Sequence, residues 1–150
     1  MALLYALDTN VLLRLSHRSH PSHNLVADCV LRLTDRDIEL CYTSQNLGEF
    51  WNVSTRPTDR NGFGLSVQET SRRFESVVRN MTLLKEVEAV FPAWLRLMKA
   101  HEVRGIQVYD AHLAAVLEVH GVSHLLTFNG SDFKRFSNVS AVHPQEVVVP

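Results

Sequence analysis

The stretch YALDTNVLL, residues 5–13, decides the reading of this chain. An apolar run reaches Asp8, stops for three polar residues, and turns apolar again at Val11. The run from Leu3 to Leu7 is too short for a helix and reads as a buried strand. A carboxylate at the end of a buried strand is costly unless a partner compensates it. Thr9 or Asn10 is suited to cap a short helix carrying Val11, Leu12 and Leu13.

The same alternation of apolar strand and amphipathic helix recurs outward from this point. A helix is expected over 23–35 with Ser22 as its cap, then a strand from Ile38 to Thr43. Ser44 is expected to cap a helix running to about Ser54, stopped by Pro57. TRPTDRNGFG, residues 55–64, is a loop of turn formers. A helix from Ser66 to Arg79 and a short strand from Thr82 to Leu84 follow. Val87, Val90, Phe91, Trp94, Leu95 and Met98 recur at helical spacing, predicting a helix over 86–101. Residues 103–110 read as a loop and 110–120 as a helix ended by Gly121. Ser123–Thr127 reads as a buried strand, Ser131–Arg135 as one helical turn, and Val139–Val142 as a last strand. Strands alternating with helices predict an α/β fold around a central, mostly parallel sheet. Functional groups in such folds gather beyond the carboxyl ends of the strands.

Composition bounds the possibilities. The 150 residues, 45% hydrophobic and 21% charged, suit one domain spanning 1–150. The formal net charge of −1 removes the simple electrostatic case for nucleic-acid binding, which calls for a basic excess. Any action on nucleic acid must rest on a local patch or on metal ions. Cys29 and Cys41 lie in apolar surroundings without CxxC spacing and read as free core thiols of a reducing compartment. No apolar run approaches a membrane span, and the N-terminal stretch lacks a basic region and meets its Asp too early for a signal peptide. The expectation is a soluble cytoplasmic protein with no membrane partner.

Four acids follow apolar or helix-starting signals: Asp8, Glu49, Asp110 and Asp132. Singly, each has an ordinary explanation as a cap, a turn acid or a solvated helix residue. Together at one sheet edge they would repel and raise one another's pKa unless a cation intervenes. An all-oxygen set suits Mg²⁺ or Mn²⁺ rather than zinc. Arg14, His17, Arg18, His20 and His23 form a basic-leaning stretch near Asp8, read either as phosphate guidance or as a solvated loop. Its histidines lack the spacing of a zinc site. Arg56 reads either as a contact to RNA or partner, or as a helix C-terminal cap. His112 reads as structural or surface, because positions 110 and 112 do not share a helix face. Trp51 and Trp94 read as core or dimer interface.

LDTNVLL, LGEFWNVSTRP, VYDAHLAA and LLTFNGSDF, in that order, resemble the PIN domain, and most of all the VapC-type toxin ribonucleases of bacterial toxin–antitoxin pairs. The resemblance implies a three-layer fold with helices on both faces of a parallel sheet. It implies a Mg²⁺- or Mn²⁺-dependent endoribonuclease, usually a homodimer, with RNA as substrate and a cognate antitoxin as inhibitor. By motif, Asp8, Glu49 and Asp110 resemble the three leading metal ligands, and Thr9 and Asn10 shape the turn after the first. The fourth ligand falls to Asp132 or Asn129, the latter only through its neutral carbonyl, and Thr127 resembles an orienting hydroxyl. Catalysis would rest on Asp8, Glu49, Asp110 and Asp132. The alternative is a catalytically weak PIN module that binds RNA or a protein. A metal-dependent DNA nuclease also fits, since the acids read phosphate and not sugar. A phosphotransfer receiver fits poorly, because Lys134 has no early acid pair to accompany it.

Overall fold

The computed structural model describes residues 3–149. Five parallel strands, β1 (Leu4–Leu7), β2 (Glu39–Thr43), β3 (Thr82–Leu84), β4 (His124–Leu126) and β5 (Ser140–Val142), form one sheet in the order β3-β2-β1-β4-β5. Helices α1 (Thr9–Ser16), α2 (His23–Asp35), α3 (Ser44–Thr55), α4 (Val67–Val78), α5 (Val90–Ala100), α6 (Val108–His120) and α7 (Pro144–Val148) cover it. Side chains alternate across each strand. Ala6 and Cys41 enter a core with α5 and α6, whereas Leu7 and Leu40 enter the opposite core with α1, α2, Phe50 of α3 and Phe74 of α4. The three-layer α/β/α arrangement of the sequence reading is therefore present.

Strand β1 is central, with β2 on one side and β4 on the other. The strand order reverses between β1 and β4, and sites in such sheets form beyond the carboxyl ends of the strands at that point. Asp8 stands there, its backbone N–H donating to the Leu126 carbonyl at 2.9 Å. Helix α6 approaches the sheet closely because Ala111, Ala114 and Ala115 are fully buried. Cys29 and Cys41 are buried and free, and burial pushes both thiols up to about 11. Among the described residues, no helix is long and apolar enough to cross a membrane.

Several element boundaries differ from the sequence reading. Asp8, not Thr9 or Asn10, caps α1, because its Oδ1 accepts the Thr9 N–H at 2.9 Å. Thr43, not Ser44, caps α3, in a reciprocal arrangement with Asn46. Helix α5 starts at Val90 rather than residue 86. Pro92 explains this: its ring is tolerated in a first helical turn but would break a helix already under way. Helix α6 starts at Val108 after a 3₁₀ turn, Gly105–Gln107, so Asp110 lies inside its first turn instead of at its start. Helix α7 was not expected, although HPQE carries its signal: Pro144 opens the helix, and His143 and Glu146 cap it.

Asn46 is the joint between these elements. Its Oδ1 accepts from the Thr43 N–H at 2.8 Å and its Nδ2 donates to Thr9 Oγ1 at 3.0 Å, all within buried structure. One amide thus fixes the β2–α3 turn against the β1–α1 turn. Asn46→Ala leaves Thr43 N–H without its acceptor and is expected to lower the unfolding free energy by about 2 kcal/mol. A urea titration checks this: the midpoint should fall while the slope stays constant.

Candidate active site

Among the described residues Asp8 has no cationic partner; hydrogen bonds compensate it. Its Oδ2 accepts from Thr127 Oγ1 at 2.8 Å and from Asn10 Nδ2 at 3.2 Å, while Oδ1 takes the Thr9 N–H. The Thr127 hydroxyl, spending its proton on Asp8, accepts the Asn129 N–H at 3.0 Å. Asn10 Oδ1 accepts the Phe128 N–H at 3.1 Å. The turn after β1 and the turn after β4 are therefore one hydrogen-bonded unit with the carboxylate between them. Burial pushes the Asp8 carboxyl up, the bonds from Thr127, Thr9 and Asn10 draw it back, and the charge of Asp132 adds repulsion.

Glu49 projects from the second turn of α3. Gln45, one helical turn earlier, donates from Nε2 to Glu49 Oε1 at 2.6 Å and to the Tyr109 carbonyl at 3.2 Å. Its Oε1 lies 2.6 Å from His112 Nδ1, whose other ring nitrogen meets the Glu86 carboxylate at 2.8 Å. The Trp94 indole packs against this imidazole with ring centroids 4.6 Å apart, and its Nε1 donates to the Val108 carbonyl at 2.9 Å. Glu49 is thus oriented by a side-chain chain that crosses to α6. Burial raises its pKa; Gln45 opposes this and Asp8 reinforces it.

Asp110 in α6 and Asp132 in a 3₁₀ turn, Gly130–Phe133, complete the set. Asp8, Glu49, Asp110 and Asp132 line one cavity of about 670 Å³. Gln45, Asn52, Val53, Ile106, Tyr109 and Leu113 share its walls. Asp110 carries the clearest mark of this crowding: burial, then Asp132, Asp8 and Glu49, push its carboxyl up to about 6, against some relief from Arg135. Among the described residues, no three His, Cys, Asp or Glu side chains are gathered tightly enough to be a ready metal site. The donor chemistry nonetheless fits a hard divalent cation, because the four acids offer only oxygen and the charges of Asp132, Asp8 and Glu49 all make ionisation of Asp110 costlier.

The other sequence candidates lie around this cavity rather than in its walls. Thr9, Asn10 and Thr127 hold Asp8 and the adjoining turns. Asn129 is exposed; its backbone links Thr127 to the Asp132 N–H, while Asp132 alone of the two lines the cavity. Arg14 turns back on its own helix, donating to the Asn10 carbonyl at 2.9 Å, with its guanidinium 4.2 Å from the Phe128 ring centroid. Arg56 is the C-cap of α3 and donates to the Asn61 carbonyl at 2.9 Å, which ties down the following loop. Gly62 packs directly on the Arg56 carbonyl there, where any Cβ would collide with it. The sequence reading missed Gln45, Asn46, Glu86, Ile106 and Tyr109. Only Gln45 carried a signal, its place four residues before Glu49 on one helix face.

No curated protein matches the chain significantly. Solved structures do match in fold. VapBC2 from Rickettsia felis, bound to a DNA fragment from their promoter, is 15% identical with a TM-score of 0.71 over 94% of this chain and 98% of that one. DNA-bound VapBC from Salmonella typhimurium is 17% identical with a TM-score of 0.69 over 95% and 98%. VapC20 from Mycobacterium tuberculosis, a sarcin-ricin loop cleaving toxin, is 17% identical with a TM-score of 0.65 over 90% and 98%. Identities this low carry the fold alone. The family comes from the sequence itself: the PIN domain matches residues 5–139, from within β1 to the residue before β5, and the chain belongs to the PIN domain family.

Proposed function

We propose that this PIN-domain chain is a metal-dependent endoribonuclease, the toxin of a type II toxin–antitoxin pair, working as one domain in the cytoplasm. A homodimer inhibited by a cognate antitoxin completes the reading. One observation carries it: four acids from four separate segments line a single cavity at the carboxyl edge of a parallel sheet. The fold likeness to VapC proteins, one of them a sarcin-ricin loop cleaving toxin, supports RNA as the substrate.

Asp8, Glu49 and Asp110 would hold Mg²⁺ or Mn²⁺, with Asp132, or Asn129 through its carbonyl, completing the set. Such a cation would supply charge neutralisation at a phosphodiester and a water of lowered pKa. The chain's own residues set the conditions. Thr9, Asn10 and Thr127 keep Asp8 in one orientation, and Asp8 stays half-desolvated, where its charge interacts strongly. Gln45 holds Glu49 toward the same cavity and fixes the backbone before Asp110. A protein of net charge −1 would thereby need no basic surface to meet an anionic substrate.

Cleavage of a mixed pool of transfer and ribosomal RNA tests the reading. Discrete fragments are expected with Mg²⁺ or Mn²⁺, and none with EDTA or with folded Asp8→Asn protein. Full activity in that variant overturns the scheme, and inert wild-type protein with either metal favours a binding module. Gln45→Ala is expected to reduce cleavage about tenfold without preventing folding, from the loss of a charge-assisted bond of roughly 1.5 kcal/mol.

Burial of Asp110, with the neighbouring acids adding to it, also predicts a pH dependence of the metal-free protein. Asp110 binds its proton more tightly folded than unfolded, since its folded pKa is about 6 and its ordinary value 3.8. Its contribution to stability is therefore full below pH 3.8 and lost as pH rises through about 6. Asp110→Asn should raise metal-free stability at pH 7.5 by roughly 1 kcal/mol, a figure discounted for its partial exposure. Thermal melts at pH 5 and 7.5 read this. Millimolar Mg²⁺ should stabilise wild type at pH 7.5 and leave Asp8→Asn unchanged.

A further inference from the structure

Two apolar side chains in the wall of the acidic cavity face water. Ile106 is 82% exposed and Tyr109 is 55% exposed, and both line the space that holds Asp8, Glu49, Asp110 and Asp132. Tyr109 immediately precedes Asp110. No aromatic ring among the described residues stacks on it. Two exposed apolar side chains that border one cavity together with a few polar groups form the kind of lining that binding sites have.

The backbone under Tyr109 is held firmly. Gln45 Nε2 donates to the Tyr109 carbonyl at 3.2 Å, and Trp94 Nε1 donates to the preceding Val108 carbonyl at 2.9 Å. Both bonds come from other helices, α3 and α5. The ring therefore stands on a backbone position tied at two successive carbonyls, which lowers the entropy lost when a ligand settles on it. The cavity volume of about 670 Å³ falls within the range of small-ligand sites.

Resting on the ribonuclease reading above, we propose that Tyr109, flanked by Ile106, is the platform on which one unpaired nucleobase of the RNA stacks beside the scissile phosphate. The chemistry favours a base over other occupants. The acids would hold the phosphate through a cation, and the base attached to that nucleotide must then lie within a few ångströms of them. A base is neutral and has a π-face, so the carboxylates that repel an anion do not repel it. Bases locked in an A-form helix cannot present that face, so the nucleotide at the site is unpaired. Tyr109 would then set which nucleotides are held well, since stacking strength differs among bases.

Cleavage kinetics of the full chain with Mg²⁺ and a single-stranded RNA, joined to photocrosslinking of the same RNA carrying 4-thiouridine, test the proposal. Tyr109→Ala is expected to raise KM about tenfold, within the range of one lost stacking contact, with kcat changed less than about twofold. Tyr109→Phe, which keeps the ring and loses the hydroxyl, should retain the wild-type KM. The crosslink should map to Tyr109 and vanish in the alanine variant. An unchanged KM in Tyr109→Ala overturns the platform, leaves the nuclease reading standing, and favours a protein segment as the occupant of Ile106 and Tyr109. A kcat loss shared by Tyr109→Phe also overturns it, because the hydroxyl and not the ring would then matter. Absence of both cleavage and crosslinking in the wild-type protein overturns the nuclease reading and the platform with it.

Discussion

The structure turns on one carboxylate at the end of its central strand. Asp8 closes β1, caps α1 and receives the Thr127 hydroxyl from the end of β4. A charge in that place has to be compensated, and here neutral donors compensate it, so its negative charge stays available to the cavity. An arginine partner would have satisfied the same burial cost and cancelled the charge. The choice of Thr127 and Asn10 as donors is thus what separates a functional acid from a structural ion pair. It also determines the geometry nearby, because Thr127 and Asn10 cannot serve Asp8 unless the β1 and β4 turns lie side by side.

The parallel topology brings the remaining acids to the same edge. Glu49 and Asp110 come from helices on opposite faces of the sheet, and Asp132 from the turn after β4. No local propensity gathers them; each is delivered by the crossover that precedes it. Burial first, and mutual repulsion after it, work against the arrangement and push the Asp110 carboxyl up. The chain opposes that repulsion with neutral joints: Asn46 between the two turns, and Gln45 between Glu49 and the backbone of α6. A site built this way trades stability for a concentrated negative potential, as functional sites commonly do.

What could be read from the sequence follows the range of the interactions involved. Strand β1, Leu4–Leu7, is legible as a short apolar run, and in β4 the buried pair Leu125 and Leu126 carries the same signal. The four acids were legible because each follows such a run or a helix start. The caps fall at Asp8 instead of Thr9 or Asn10, and at Thr43 instead of Ser44, because several polar neighbours compete there and only geometry decides between them. Apolar periodicity alone extends α5 back to residue 86, but Pro92 confines its start to Val90. Arg14 and Arg56 illustrate the opposite limit. Both stand beside motif residues, yet their guanidinium groups bond backbone carbonyls of their own neighbourhood.

The chain of Glu86, His112, Gln45 and Glu49 was beyond sequence reading for a physical reason. Gln45 and Glu49 share a face of α3, but His112 and Glu86 lie far off in sequence and join them only once α6 and the segment after β3 are packed against α3. Trp94 makes the same point. Its place on an apolar helical face was evident, but its indole N–H reaches the Val108 carbonyl and so fixes the entry to α6. That entry determines where Asp110 falls within the first helical turn, and with it the separation of Asp110 from Asp8. Packing of α5, a helix that contributes no acid, therefore helps set the electrostatics of the cavity.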